Sequence, residues 1–413
     1  MNELGSLKEV HVKYSTLLKS EEGIKNGAAR PLGFLHQQSP FCPVKQRLIA
    51  KITTVLQQAP VVRNLARQKF VAQFIVGLLK SRNVQFGEVA QHLNDRAKVR
   101  SNETRIQDFF RETELDYLVL AQLLLSLLPT QGKLRLCLDR TEWDFGKCQV
   151  NILLVTVGQG AFQVPLYWEL LDNRSGNSNA ADRIALLKVC VKLLGRARIG
   201  LVLGDREFVG QQWLKWLKDN GLNFVMRLPR HHLLTFCSGR QQAIAALGLA
   251  VGQTRRFAHC QVDGVWGQVW VKALAGNDFL FLFASAGLGW LDQLYAKRWT
   301  IEQCFQNLKG RGFNLEASHL RCRHKLRKLV ALVSLAYACC LSVGTLADQK
   351  LKPIARKNHG HRATSLSRYG LNILRQLTRP GTSPHQPLAR LVERLLDWLS
   401  KQILNLRITE LVG

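Results

Sequence analysis

The chain has 413 residues, 46% of them hydrophobic and 21% charged, a length that suggests two to four units and a composition that excludes general disorder. Its 58 Lys and Arg stand against 29 Asp and Glu, a formal balance of +29, and so positive a field repels itself in the folded state unless a polyanion neutralises it. Nucleic acid is the foremost such polyanion, because neutralised phosphates release their counterions; an RNA binder of the ribosomal kind and a protein of anionic membrane surfaces are the alternatives.

Residues 1 to about 45 hold several Gly and Pro without a sustained period and read as a loose arm. From Val44 to about Leu128 the pattern is helical, and Pro129 marks its end. Phe70, Phe74, Ile75, Leu78 and Leu79 form one apolar stripe, followed by a turn at Ser81-Arg82-Asn83 and a short helix from Gly87 to Leu93. Asn102 is placed to cap a helix carrying Ile106, Phe109 and Phe110. With Lys98, Arg100, Arg105 and Arg111 nearby, these short helices suit a helix-turn-helix-like DNA reader, and equally a plain bundle with a basic solvated face.

Near residue 131 the period changes to two. Leu134, Leu136 and Leu138 alternate with Lys133, Arg135 and Cys137, which predicts a half-buried strand ending at Asp139. Val150 to Val157 and Phe162 to Trp168 continue an antiparallel meander. A helix from Ala181 to Leu194, a strand Ile199 to Leu203 ending at Gly204-Asp205, a helix from Gln211 to Asn220 and a strand Asn223 to Leu228 follow. That order predicts an α/β fold with an RNase-H-like core. From Arg230 to Ala286 the strand-like composition, with Trp266 and Trp270, predicts a small β-rich insertion. Helix returns from Trp290 to Gly310 and from Arg323 to Ala347. The uncharged stretch Leu329 to Ala347 is long enough to span a bilayer, but its Ser, Thr and Gly and its solitude favour a core helix. No acid lies between Asp348 and Glu393, against nine basic residues: Lys350, Lys352, Arg356, Lys357, Arg362, Arg368, Arg375, Arg379 and Arg390. A partly helical phosphate-binding region is the economical reading. The expected division is a helical DNA-binding region at 1–130, a core at 131–229 and 289–348, the β insertion at 230–288 and a basic C-terminal region at 349–413.

Ten cysteines, none in a C-x-x-C pair and most within apolar runs, suggest reduced cytosolic thiols rather than disulfides or zinc. The start Met1-Asn2-Glu3-Leu4-Gly5 lacks the pattern of a signal peptide.

Two-metal phosphodiester chemistry needs carboxylates converging on one point. The ends Leu138-Asp139 and Gly204-Asp205 each offer one at the carboxyl edge of a sheet, although either alone also suits a turn or a cap. In the run Tyr295 to Lys309, the side chains Tyr295, Arg298, Glu302 and Lys309 fall within about 60° of one another on an ideal helix. Ile301, Phe305 and Leu308 occupy the adjoining face. A bare Arg298–Glu302 ion pair at i,i+4 is the plainer reading of that spacing.

This run resembles the Tyr-x2-Arg-x3-Glu-x6-Lys signature of the insertion-sequence-4-type DDE transposases at every spacing, and Asp139-Arg-Thr-Glu-Trp, Asp205-Arg-Glu-Phe and Gly312-Phe-Asn-Leu-Glu316 agree with it. The resemblance covers roughly residues 60 to 370 and is most specific between 136 and 316. It implies a retroviral-integrase-like catalytic core in which Asp139, Asp205 and Glu302 bind two Mg²⁺ ions, for which Mn²⁺ can substitute. Tyr295, Arg298 and Lys309 would then contact transposon-end phosphates, as the basic residues Lys350, Lys352, Arg356, Lys357 and Arg362 would contact DNA elsewhere. It further implies cleavage at transposon ends, transfer of the 3′-hydroxyl into double-stranded target DNA, a dimer on paired ends, a cytoplasmic, nucleoid-associated protein and no membrane. A hairpin route, with Trp266 or Trp270 stacking a flipped base, is the family's precedent; a strand-face or core role suits either ring as well. Glu142, Glu207 and Glu316 are expected in structural hydrogen bonds. The rivals are a nuclease of the RNase H superfamily without strand transfer and a non-catalytic DNA-binding derivative.

Overall fold

The computed structural model describes residues 42–128, 132–145, 148–171, 176–358, 360–383 and 386–412. Most of the expected N-terminal arm, and Pro129, lie outside them. The chain divides into two compact units, Met1–Gln131 with Asn307–Gly413, and Gly132–Gln306.

The first unit is helical. Helices α1 (Pro43–Gln58), α2 (Leu65–Ser81), α3 (Phe86–Leu93), α4 (Val99–Glu112) and α5 (Tyr117–Ser126) come from its N-terminal part. The apolar stripe on α2 is buried where expected, with Phe70 stacked on Phe109 at 4.4 Å between ring centroids and Phe74 tilted against Phe110 at 5.5 Å. Asn102 does not cap α4: Lys98 holds the cap position, and Asn102 lies one turn inside the helix, 1% exposed. Its amide donates to the carbonyls of Ala90 and Asn94, both at 3.0 Å. A buried amide that satisfies two stray carbonyls from the end of α3 and the loop beyond it is worth more there than at an exposed cap. Replacing Asn102 by Ala is therefore expected to lower unfolding free energy by about 2 kcal/mol, measurable as a shifted urea midpoint. Lys98, Arg100, Arg105 and Arg111 are all exposed.

The C-terminal part supplies α10 (Arg323–Lys350), α11 (Leu366–Leu377) and α12 (Pro387–Val412). Helix α10 is long and apolar enough to cross a membrane by length and composition, yet nearly all of its most apolar stretch is buried within this unit. It packs on α2, α5 and, most extensively, α11. The α10–α11 crossing is set by two glycines: a Cβ on Gly344 would sit 1.8 Å from the Leu366 carbonyl oxygen, and one on Gly370 would sit 1.8 Å from that of Cys340.

The second unit is built on one sheet of order β3-β2-β1-β4-β5-β10-β9-β8-β6-β7. Its strands are β1 (Leu134–Phe145), β2 (Cys148–Gln159), β3 (Phe162–Leu170), β4 (Ile199–Gly204), β5 (Phe224–Arg227), β6 (Leu233–Thr235), β7 (Gln241–Ala243), β8 (Thr254–Val262), β9 (Val265–Ala273) and β10 (Phe279–Ala284). β1 to β3 form an antiparallel meander, whereas β4 runs parallel to both β1 and β5. Helices α6 (Ala180–Leu194) and α7 (Gln211–Asp219) fall between β3 and β5 in the chain, and α8 (Leu291–Ala296) and α9 (Trp299–Leu308) follow β10.

Two strand expectations change. The segment Leu134 to Leu138 is buried at every position, Arg135 included, rather than on alternate faces, because β1 is an inner strand covered on both faces of the sheet. Asp139 does not end the strand, which runs six residues further against β2. What ends there is the parallel pairing with β4, whose last partners are Cys137 and Leu203. The residues between Arg230 and Ala286 do form strands, and β10 joins β5 so that they continue the same hydrogen-bonded sheet.

Candidate active site

Residues two apart on a strand share a face. Asp139 thus shares a face with Cys137, and Asp205, the residue after β4, shares one with Leu203. Cys137, Leu201, Leu203, Val225, Leu282 and Ala284 make a buried apolar face covered by Leu291, Tyr295 and Ile301, with Trp270 and Phe305 packed against it. The two carboxylates emerge where this covered face meets solvent, at the carboxyl edge of adjacent parallel strands.

The expected single helix from Trp290 to Gly310 is two. α8 ends at Ala296, Lys297 and Arg298 form a turn, α9 begins at Trp299, and Lys309 lies in a turn beyond its end. The Tyr295-Arg298-Glu302-Lys309 stripe is therefore not a helical line. The break nevertheless brings three of its members together. Arg298 donates to Asp139 Oδ2 at 3.3 Å and to Glu302 Oε1, and stands 3.9 Å from Asp205 Oδ2. The Tyr295 hydroxyl donates to Asp205 Oδ1 at 3.1 Å, and Arg298 lies 5.5 Å from the Tyr295 ring centroid. Lys309 instead pairs with Glu316 at 2.7 Å.

One guanidinium, 9% exposed, therefore serves three carboxylates that are 19%, 35% and 28% exposed in chain order. Burial raises the Asp139 carboxyl to about 6, against the opposing pull of Arg298 and of its own hydrogen bond from the Arg140 amide. Burial works against the charge on Arg298, but Tyr295, Asp205, Asp139 and Glu302 outweigh it and hold its pKa above the ordinary value. Burial likewise pushes up the Tyr295 phenol, which stays a neutral donor. The Arg298 Nε is buried without a hydrogen-bond partner, so the group is fixed by its two terminal nitrogens.

Removing one partner from a largely buried ionic cluster leaves the others uncompensated. Arg298→Gln is expected to destabilise this unit by about 3 kcal/mol, read as an earlier denaturant midpoint in chelator-containing buffer.

Around the carboxylates lies a support that the sequence named only in part. Glu207, two residues after Asp205, accepts from Arg140 Nε at 2.9 Å and from the Ser178 amide and hydroxyl at 2.9 and 2.7 Å. Arg140 directly follows Asp139 and also binds Glu142 and Asn151. The Arg140–Glu207 pair thus ties one carboxylate-bearing backbone to the other, and the expected structural bonding of Glu142, Glu207 and Glu316 is what the side chains do. The tie to Arg140 was hidden because its partners are 67 residues apart.

Three carboxylates with oxygen donors and partial exposure suit hard divalent cations. Among the described residues no group of three His, Cys, Asp or Glu is spaced to hold a metal, because Arg298 occupies the point on which they converge. The donor chemistry fits such an ion, and the present spacing is that of a cluster bridged by its own guanidinium, whose single charge offsets only part of theirs.

Residues 146–339 match the family of the transposase DDE domain. The matched stretch is slightly under half of the chain; it contains Asp205, Tyr295, Arg298, Glu302 and Lys309 and begins after Asp139. It supports a DDE transposase, and a mixed α/β unit on one large sheet is consistent with that domain. No curated protein matches the chain.

The other residues expected of a transposase lie outside the cluster. Lys350 ends α10, and Lys352, Arg356, Lys357 and Arg362 are exposed in the stretch before α11. Arg362 pairs with Asp348 at 3.0 Å, and Arg356 donates to the Gly360 carbonyl at 2.9 Å. Trp266 is exposed near the β8–β9 turn, edge-on to His259 at 6.1 Å, while Trp270 is half-buried against the apolar face. Two further exposed rings were not singled out from sequence: Trp290, at a left-handed φ of 49°, and Trp299, beside Arg298. The signal for Trp299 was its place off the apolar Ile301-Phe305-Leu308 face.

Proposed function

We propose that the chain is a DNA transposase of the insertion-sequence-4 type, with an RNase-H-like core that cuts at transposon ends and transfers the freed 3′-hydroxyl into target DNA. The observation that carries this reading is the convergence of Asp139, Asp205 and Glu302, from two adjacent parallel strands and a helix, on Arg298. A protein that only binds DNA gains nothing from acids beside phosphates, which repel them.

Asp139, Asp205 and Glu302 would hold divalent cations, Mg²⁺ or Mn²⁺, which supply Lewis-acid activation of the attacking oxygen and charge stabilisation at the leaving one. Arg298, released from the carboxylates, is placed to meet a backbone phosphate, and its planar fork suits two phosphate oxygens. Tyr295 holds the Asp205 carboxylate in orientation through its neutral hydroxyl. The Arg140–Glu207 tie keeps the two strand-derived carboxylates at a fixed separation. Lys309 and the basic residues Lys350, Lys352, Arg356, Lys357 and Arg362 bind the DNA backbone, and the N-terminal helices read the terminal repeat. Of the two candidate rings, Trp266 is the more available to a displaced base, since Trp270 is committed to packing. Assembly is a dimer on paired ends.

The test is incubation with labelled duplex carrying the DNA that flanks the reading frame, where imperfect inverted repeats are expected, with Mg²⁺ or Mn²⁺ and a supercoiled target. Donor ends joined to target support the proposal. Hydrolysis without joining points to a nuclease of the RNase H superfamily, and binding without cleavage to a non-catalytic derivative.

A further inference from the structure

We propose that Arg82, Arg311, Arg368 and Arg375, all in the helical unit, form a phosphate-binding subsite for the DNA backbone, apart from the carboxylate cluster; the choice of DNA as occupant rests on the transposase reading.

The geometry is an accumulation of like charge. Arg82 Nη2 and Arg368 Nη1 both address the carbonyl oxygen of Arg311, at 3.5 and 3.1 Å. Two guanidiniums on one acceptor leave most of their donors unspent. Arg375 follows Arg368 by two turns on α11 and so extends the same face. None of the four takes part in an ion pair among the described residues, and the Arg82 Nε is buried without a hydrogen-bond partner. Arg82, Arg368 and Arg375 are half-buried and Arg311 is exposed. Burial first, and then the charges of Arg368 and Arg375, hold the Arg82 guanidinium below its ordinary pKa, and no carboxylate offsets them.

A structural role would pair such groups with acids. Here the acids are missing, and α11 lies wholly within the acid-free stretch between Asp348 and Glu393. An anion with several oxygens relieves the repulsion and uses the free donors, and a phosphodiester matches the guanidinium fork. Beside the cluster opens a cleft lined by Asn307, Arg311, Ser367 and Arg368, which adds amide and hydroxyl donors suited to phosphate oxygens. Arg82 also holds the left-handed position after α2, at φ 56°, where glycine or asparagine is more at ease. An arginine there is a costly choice for the backbone unless its side chain has a task.

That conformation supplies a clean variant: Arg82→Gly removes the guanidinium while relieving the backbone. The experiment compares wild type, Arg82→Gly, Arg368→Gln and their double variant, with Lys218→Gln, an exposed position on α7, as the charge-matched control. Duplex affinity is measured by fluorescence anisotropy across a series of salt concentrations. The slope of log K against log salt is expected to fall by about 0.9 for each phosphate no longer neutralised, with the Lys218→Gln slope unchanged. In a second arm, inorganic phosphate is titrated while Tm is followed: wild type gains stability and the double variant does not. Unaltered slopes and an unaltered phosphate response overturn the subsite, as does an equal fall in slope for Lys218→Gln. Wild type that responds to inorganic phosphate but binds no duplex overturns the DNA assignment and the transposase reading, and leaves an anion site. Wild type that binds and joins DNA, with variants indistinguishable from it, sinks the subsite alone.

Discussion

Glu302→Gln is expected to reduce strand cleavage at least about 10³-fold, the scale of losing several kcal/mol of charge stabilisation at the reacting phosphate. The substitution keeps the shape of the side chain and removes its charge. Arg298 would still have Asp139 and Asp205 as partners, so the fold and the affinity for a transposon-end duplex should change little. Single-turnover cleavage and equilibrium binding measured on the same preparation separate the two effects. Asp219→Asn provides the comparison, because Asp219 only pairs with Lys215 on the solvent side of α7, and an exposed pair of that kind is worth about 1 kcal/mol at most. Cleavage by Glu302→Gln at the wild-type rate would falsify the catalytic reading of the cluster.

A large stability effect is expected at Gly370 in the helical unit. Its missing Cβ would lie 1.8 Å from the Cys340 carbonyl oxygen, and both groups are backbone within helices, so neither can rotate aside. Gly370→Ala must push α11 away from α10, which opens space along their whole shared seam. Overpacking of this kind costs about 3 kcal/mol, or roughly 6–12 °C in Tm for a unit of this size. The neighbouring exposed residue Asn372→Ala should move Tm by less than about 2 °C. Differential scanning calorimetry decides it, and a Gly370→Ala protein as stable as wild type would show that the helices separate at no cost.

Much of this architecture could be read from residue order, and the reasons differ from place to place. The β1–β5 elements were legible because period-two and period-3.6 patterns alternate cleanly there, and a strand pattern needs only neighbouring residues to declare itself. The burial of Leu134 to Leu138 on both sides was not legible, since it depends on what covers the sheet. Asn102 misled because a side chain that caps in solution can do the same service inside a bundle, for carbonyls eight and twelve residues away. In the signature run the periodicity was right about three of the four residues that meet and wrong about why. Tyr295, Arg298 and Glu302 gather through a turn at Lys297-Arg298, and Lys309, seven residues on, turns to Glu316. The Arg140–Glu207 tie and the arginine cluster around the Arg311 carbonyl join residues too far apart in the chain for any local pattern to announce.

The continuity of the ten-stranded sheet has a mechanical consequence. β9, which carries Trp266, is laddered to β10, β10 to β5, β5 to β4 and β4 to β1. A tug along the strands of the Trp266 hairpin would load these ladders in shear, with several backbone bonds of each sharing the force at once. The hairpin is thus a stiff arm on the same plate that bears Asp139 and Asp205, and whatever it grips is held at a set span from them.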